Sequence, residues 1–189
     1  RVLHFEQEGQ TQYLPMTEAP GSSAADEVQT TEPEQVVGRL AEALRVVHRV
    51  DISACPFDMR LDVKLVEARA RIDSGLVDDA DFEGVNMGRS AMDIYRELIA
   101  TRPSDEELVF THGDYCLPNI MLKDGAVSGF LDLGRAGIAD RYTDLALAAR
   151  SIRHNTGDER LVDLFFGAYG LGEVDWQKVD YYILLDELF

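Results

Sequence analysis

Lysine is almost absent from this chain: only Lys64, Lys123 and Lys178 among 189 residues. Arginine raises the basic count to 18, against 35 aspartates and glutamates, for a formal net charge of -17. A general nucleic-acid binder needs a basic footprint on the phosphates, and docking on an anionic membrane needs the same. Neither partner is expected. The excess acid has two readings, attraction of a cationic partner or plain solubility and salt adaptation. Cysteine is scarce too. Cys55 and Cys116 make no disulfide framework and no C-x-x-C metal pattern, so a reducing cytoplasm is the expected compartment. No apolar run approaches the roughly 18 residues of a membrane span. There is no G-x-S-x-G elbow, and His112 has no second histidine at ligand spacing, which counts against a hydrolase. An initiating methionine is missing as well. The chain opens at Arg1 inside an apolar stretch, Val2, Leu3 and Phe5, and is expected to be a piece of a longer protein.

What is present divides into two regions. Residues 2–6 and 12–16 read as short strands around a Gly9 turn. Residues 19–33 are small, polar and punctuated by proline and glycine, which predicts a linker or an exposed loop. Thr31 to Glu34 form a capping box before a helix whose Val36, Val37, Leu40, Leu44 and Val47 fall on one stripe. Further helices are predicted near 61–75 and 91–101, with an acidic loop over 76–90 between them. The period then changes. Leu108 to Phe110 read as a strand, and Ile120 to Leu133 as a β-hairpin around Asp124-Gly125, a favoured two-residue turn. Three helices follow, near 140–153, 158–169 and 175–188. The predicted class is α+β: a mainly helical lobe with a small hairpin set into it.

The densest polar cluster lies in residues 112–135. It reads His112-Gly113-Asp114, then Asn119, then Asp132-Leu133-Gly134-Arg135. A hairpin brings its ends together, so Asn119 and Asp132, at the end of its second strand, are expected to be neighbours. An amide oxygen beside a carboxylate is a hard oxygen site of the kind Mg²⁺ takes. Asp114 is expected nearby as an unpaired carboxylate. Phosphoryl transfer needs this set: metal on the phosphates and an Asp to orient the acceptor hydroxyl. The protein-kinase signature H-R-D-x-x-x-x-N followed by D-F-G has the same Asp-to-Asn spacing.

With H-G-D in place of H-R-D, and D-L-G-R after it, the sequence resembles the aminoglycoside phosphotransferases. Val2 to Glu6, Met16 to Ala19, Ser128 to Phe130, Ala139 to Tyr142 and the ending Leu184 to Phe189 resemble the 3′-phosphotransferase branch, the kanamycin and neomycin kinases. The resemblance runs along the whole chain. It implies a protein-kinase-like fold, with residues 1–19 as the end of an N-terminal lobe plus hinge. Residues 20–189 would be the substrate-binding and catalytic lobe. It implies ATP and Mg²⁺ as cofactors and a cationic aminoglycoside as substrate. Asp114 would be the catalytic base, and Asn119 and Asp132 the metal ligands. Thr17 and Ala19 would hydrogen-bond adenine through their backbone, with Leu131 packed under the base. Arg135, Asp186, Glu187, the terminal carboxylate of Phe189 and Glu83 would border the antibiotic.

One departure is large. The phosphate-covering loop, strand lysine and partner glutamate of the kinase N-terminal lobe cannot be placed in this chain. Lys64 lies in a predicted helix downstream and Lys123 in a hairpin turn, so neither is a substitute. The chain alone is therefore expected to have little or no kinase activity. Two other readings stay open here. One is a related small-molecule kinase of homoserine, choline or hexosamine type; the other is a non-catalytic module that captures polycations.

Overall fold

The structure is a computed structural model that describes residues 1–82 and 84–189. The expectation for Glu83 lies outside the described residues. The chain begins with a hairpin of β1 (Glu6–Glu8) and β2 (Thr11–Tyr13), shorter than the two stretches read from sequence. Pairing continues below it irregularly, through a Val2–Met16 bridge and a bond from the Leu3 N–H to the Pro15 carbonyl at 2.9 Å. Proline has no N–H to carry a regular ladder onward.

The predicted linker over 19–33 is structured instead. Ser22–Ser23 form β3, and Ala24–Thr30 form helix α1, capped by the Ser23 hydroxyl on the Asp26 N–H at 3.1 Å. Ala24 and Val28 carry the apolar face, and both are buried. Their four-residue spacing was the signal within an otherwise polar run. The capping box is absent too. Thr31 ends α1, its hydroxyl donating back to the Glu27 carbonyl at 2.8 Å, and Glu32 caps α2 (Pro33–Val47) without a side-chain bond.

Helices α3 (Leu61–Asp73) and α4 (Ala91–Ala100) fall where the periodicity puts them, separated by two short 3₁₀ turns in the acidic loop. Strand β4 (Leu108–Thr111) leads into His112. Strands β5 (Ile120–Lys123) and β6 (Ala126–Phe130) form the predicted hairpin, with Asp124 and Gly125 both at positive φ. The strand β3 extends that hairpin to three strands by pairing with β5. A strand that the sequence reading missed, β7 (Gly137–Asp140), pairs antiparallel with β4. Helices α5 (Tyr142–Thr156), α6 (Glu159–Tyr169) and α7 (Trp176–Asp186) complete the chain.

The core lies among these last helices and α2. Leu145, Ala149 and Ile152 of α5, Val162 and Phe165 of α6, Val179 of α7, and Leu40 and Leu44 of α2 are all fully or almost fully buried. A buried leucine or phenylalanine of this kind contributes roughly 1.5–3 kcal/mol from area alone. The two-stranded β4–β7 ladder lies at the edge of this core. Its register, Thr111 opposite Gly137, brings the residues after β4 beside those before β7.

The far end of that ladder is anchored by charge. Asp140 has no exposed surface; it accepts the Tyr142 N–H at 2.9 Å and the Lys178 ammonium at 3.0 Å. Lys178 also reaches Asp105 at 3.2 Å. Replacing Lys178 with alanine leaves a buried carboxylate without its cation, so Lys178→Ala should lower the unfolding free energy by about 3 kcal/mol in urea denaturation. A loss under about 1 kcal/mol would place the pair with ordinary surface ion pairs.

Candidate active site

The polar cluster of residues 112–135 converges at one end of the two β-pairs. Asp144, at the start of α5 and fully buried, organises it. Its Oδ2 accepts the N–H of His112 at 2.7 Å and its Oδ1 accepts the N–H of Gly113 at 2.8 Å. The loop is tied to the core at two further points. The Tyr115 hydroxyl donates to the Leu40 carbonyl at 2.9 Å, and the Leu117 N–H donates to Ser151 Oγ at 2.9 Å. Neither Asp144 nor Ser151 was singled out from sequence. Asp144 follows β7 by four residues, and without that strand nothing in the sequence placed it beside the loop.

Gly113 explains why the motif carries glycine in its middle position. Its φ is +85°, a left-handed conformation, and a Cβ there would lie 2.1 Å from the Arg135 carbonyl oxygen. The H-G-D and D-L-G-R segments thus touch backbone to backbone. Only glycine permits both the conformation and the approach.

Asp114 is not the unpaired carboxylate expected from sequence. The Asn119 amide donates to its Oδ2 at 2.9 Å and to its backbone oxygen at 3.1 Å. Both amide hydrogens of Asn119 are therefore turned toward Asp114. The Asn119 Oδ1 receives no bond among the described residues, and neither does Asp114 Oδ1. The hairpin does bring Asn119 near Asp132: the Leu131 N–H donates to the Asn119 carbonyl at 2.8 Å. The strand β6 stops at Phe130, so Asp132 lies two residues beyond it rather than at its end. Asp132 adopts φ 53°, ψ 60°, a strained conformation for a residue with a side chain. Its carboxylate is exposed and without a hydrogen-bond partner among the described residues. Asn119 Oδ1 and the Asp132 carboxylate are hard oxygens with open lone pairs. They fit a magnesium ion whose remaining positions are filled by water or phosphate.

The ring of His112 is buried against Tyr115 and Phe130, at centroid distances of 5.8 and 6.0 Å, and its Nδ1 accepts the Asp114 N–H at 3.3 Å. Burial holds its pKa below the ordinary imidazole range, against the opposing pull of the Asp144 and Asp114 carboxylates. Burial, and the charge of Asp114 beside it, push the Cys116 thiol up to about 11, away from the thiolate that a nucleophile needs.

The expected nucleotide residues come from the segment after β2 and from the residue that follows β6. Ala19 packs against Gly129 of β6, the Ser128 hydroxyl donates to the Pro20 carbonyl, and Leu131 follows directly with its side chain partly exposed. The Thr17 N–H is taken by the Arg1 carbonyl at 2.9 Å. The Thr17 carbonyl and the Ala19 N–H have no partner among the described residues. One acceptor and one donor two residues apart can recognise the edge of a purine.

The expected substrate residues are close together but not free. Asp186 is held by Arg135 Nη1 at 2.6 Å and by Arg150 Nη2 at 2.5 Å. Glu187 accepts from Asn86 Nδ2 at 3.3 Å. Arg71 donates to the backbone oxygens of Leu188 and Phe189, and the Lys64 ammonium lies 3.3 Å from the centre of the Phe189 ring. Arg150 and Arg71 were not picked out from sequence. Acidic residues at a helix C-terminus oppose the helix dipole, and these arginines supply the compensation. Asp186, Glu187 and Phe189 border an open pocket of about 250 Å³ together with Asp78, Phe82 and Arg150.

Residues 1–182 match the model of the phosphotransferase enzyme family designated APH. The chain belongs to that family. It is 42% identical to the aminoglycoside 3′-phosphotransferase of Niallia circulans, spanning all of this chain and 72% of the relative. The enzyme of the same name from Enterococcus faecalis gives the same identity and the same coverage. Among solved structures, an aminoglycoside 3′-phosphotransferase of type VIII superposes with a TM-score of 0.90 at 33% identity, covering 100% of this chain and 73% of that one. An aminoglycoside phosphotransferase from Streptomyces rimosus, solved with ADP and streptomycin, gives 0.87 at 27% identity, covering 100% and 74%. The family's fold is protein-kinase-like, and β4, the β5–β6 hairpin and the helices from α2 onward form the larger part of it here.

The lowered pKa of His112 has a consequence for stability. The folded protein keeps the ring neutral at pH values where the unfolded chain, with its imidazole near about 6.5, already takes a proton. His112 thus costs no stability above that value and lowers it progressively as pH falls below. Urea midpoints measured from pH 7.5 down to pH 5.5 should drop less steeply in His112→Asn than in the parent protein. Parallel curves would rule out this role.

Proposed function

We propose that this chain is the hinge and catalytic lobe of an ATP-dependent aminoglycoside 3′-phosphotransferase, which inactivates cationic antibiotics in the cytoplasm. The observation that carries the reading is the Asn119 amide on Asp114, with the Leu131 N–H on the Asn119 carbonyl one residue before Asp132. One Asp114 oxygen is fixed by the Asn119 amide, and its other oxygen is left open. The identity of 41–42% to enzymes named for this reaction supports the choice of acceptor.

In this reading Asp114 Oδ1 receives the proton of the substrate hydroxyl as its oxygen forms the new bond to the γ-phosphorus of ATP. The bond to the β,γ-bridging oxygen breaks, and ADP leaves. Asn119, through its free Oδ1, and Asp132 would hold Mg²⁺, which when bound neutralises phosphate charge. Thr17 and Ala19 would present the carbonyl and N–H for adenine, and Leu131 would pack under the base. Asp186 and Glu187, with Phe189 beside them, offer carboxylate oxygens to ammonium groups through charge-assisted hydrogen bonds. Arg135 and Arg150 hold Asp186 at a fixed angle as they do so. Glu83, outside the described residues, is proposed as a further carboxylate toward the antibiotic.

In the enzyme with its amino-terminal lobe in place, Asp114→Asn should lower kcat for kanamycin by at least about 100-fold and leave antibiotic binding within a fewfold by calorimetry. Full activity in that variant would overturn the assignment and favour a polycation-binding module. An acceptor panel of kanamycin, neomycin, homoserine and choline separates the antibiotic reading from the related kinases. Residues 1–189 alone contain no counterpart of the phosphate-binding strand lysine. The isolated 189-residue chain should therefore show at most a trace of ATP-dependent kanamycin phosphorylation, and a rate near that of the two-lobed enzyme would refute this division of labour.

A further inference from the structure

We propose that Arg71 of α3 is a positioning residue for substrate: it holds residues 186–189 so that their carboxylates meet the antibiotic. The segment needs an external tie. Helix α7 ends at Asp186. Beyond it the Leu188 N–H donates to the Leu185 carbonyl at 3.2 Å and the Phe189 N–H to the Asp186 carbonyl at 3.0 Å. A helix leaves its last main-chain oxygens without partners of its own. Two of those that follow α7 are taken from 117 and 118 residues away in the chain. Arg71 Nε donates to the Leu188 oxygen at 2.8 Å, and Arg71 Nη2 donates to the Phe189 oxygen at 3.0 Å. One planar guanidinium on two successive main-chain oxygens fixes their direction as well as their distance. Lys64 precedes Arg71 by two helical turns on the same face of α3. Its ammonium stands 3.3 Å from the centre of the Phe189 ring and 3.1 Å from Glu67. A cation over an aromatic face holds the ring in place.

Charge alone does not account for this arginine. Arg71 and Arg150 border the same pocket of about 250 Å³ as Asp78, Asp186 and Glu187. A guanidinium there repels a polycationic substrate, and by Coulomb's law a neutral side chain at this position would suit such a substrate better. What Arg71 supplies is order. Leu188 is fully buried, while Glu187 and Phe189 flank it half-buried at the pocket. One buried side chain leaves the segment free to turn about it, and such a turn swings Glu187 and Phe189 together. The two bonds from Arg71 stop that turn. Both go to main-chain oxygens, so Arg71 orders the segment without occupying a carboxylate oxygen. Its charge also offsets the negative end of α7, to which Asp186 and Glu187 add. A segment ordered before binding does not have to be ordered by the ligand, and affinity rises accordingly.

The proposal rests on this pocket being the antibiotic's, and its test separates the two ideas. In the two-lobed enzyme, Arg71→Met removes the guanidinium and keeps an apolar stem. The Kd for kanamycin by calorimetry, and its KM, should rise about tenfold, with kcat and the KM for ATP within about twofold of the parent. Loss of a positive charge by itself predicts the opposite sign, tighter binding. Amide exchange at Leu188 and Phe189 should accelerate, with Val179, earlier in α7, as the unchanged control. Arg71→Lys, which keeps one cationic donor, should recover part of the affinity and of the protection. An unchanged or lower Kd in a folded Arg71→Met enzyme would overturn the proposal, as would exchange that accelerates along the whole of α7. Should Arg71→Met fail to fold, Lys64→Met removes only the ammonium over the Phe189 ring. A Kd raised about threefold or more then supports the proposal, and an unchanged or lower one overturns it. A parent enzyme that binds no kanamycin overturns the reading of the pocket, and the proposal with it. A parent that binds kanamycin no better than Arg71→Met overturns the proposal alone.

Discussion

A single buried carboxylate, Asp144, fixes the geometry on which the candidate site depends. It gathers amides from the H-G-D loop and an imidazole from the opposite side of the core, and it has no exposed surface. A buried acceptor with fewer donors would cost several kcal/mol in desolvation. The fold thus cannot relax the loop without exposing that cost. This couples the geometry of the candidate site to global stability: the groups that hold the loop of Asp114 in place are among those that join α2, α5 and α6.

The acidity of the chain divides into two populations. Most ion pairs join exposed neighbours, such as Arg69 with Asp73, Arg96 with Asp93, and Arg160 with Asp158. Such pairs are worth between zero and about 1 kcal/mol each, and they serve solubility more than folding. A smaller set lies at the site. There Arg135 and Arg150 share Asp186, so the carboxylate has a fixed direction before any ligand arrives. An ammonium group of the proposed substrate would meet acceptors that Arg135 and Arg150 already orient. The surplus of unpaired acid elsewhere is more than that pocket needs and fits adaptation to salt.

Sequence reading recovered the elements with strong periodicity or strong turn chemistry. The stripe of Val36 to Val47, the Asp124-Gly125 hairpin and the last three helices are where their residues put them, because each carries its own local instruction. The cluster of Asp114, Asn119 and Asp132 was also visible, since its order and spacing survive without structure. What stayed hidden depended on partners far away in the chain. Helix α1 lay inside a polar, glycine-bearing run whose only helical signal was Ala24 and Val28. Strand β7 is four residues long, and it exists because β4 pairs with it. Asp144 and His48 look like ordinary helix residues until β7 and α2 bring them together. The hydrogen bonds of Asp114 and Asp186 were equally invisible, because side-chain pairing has no one-dimensional signature.

The first hairpin stands apart from all of this. Every residue from Arg1 to Glu18 is exposed, and no side chain of β1 or β2 enters the core. Val2, Leu3, Phe5, Tyr13, Leu14 and Met16 there are apolar and about half exposed. Apolar surface gathered in this way marks a contact with a further part of a protein, and the amino-terminal lobe proposed above would supply it.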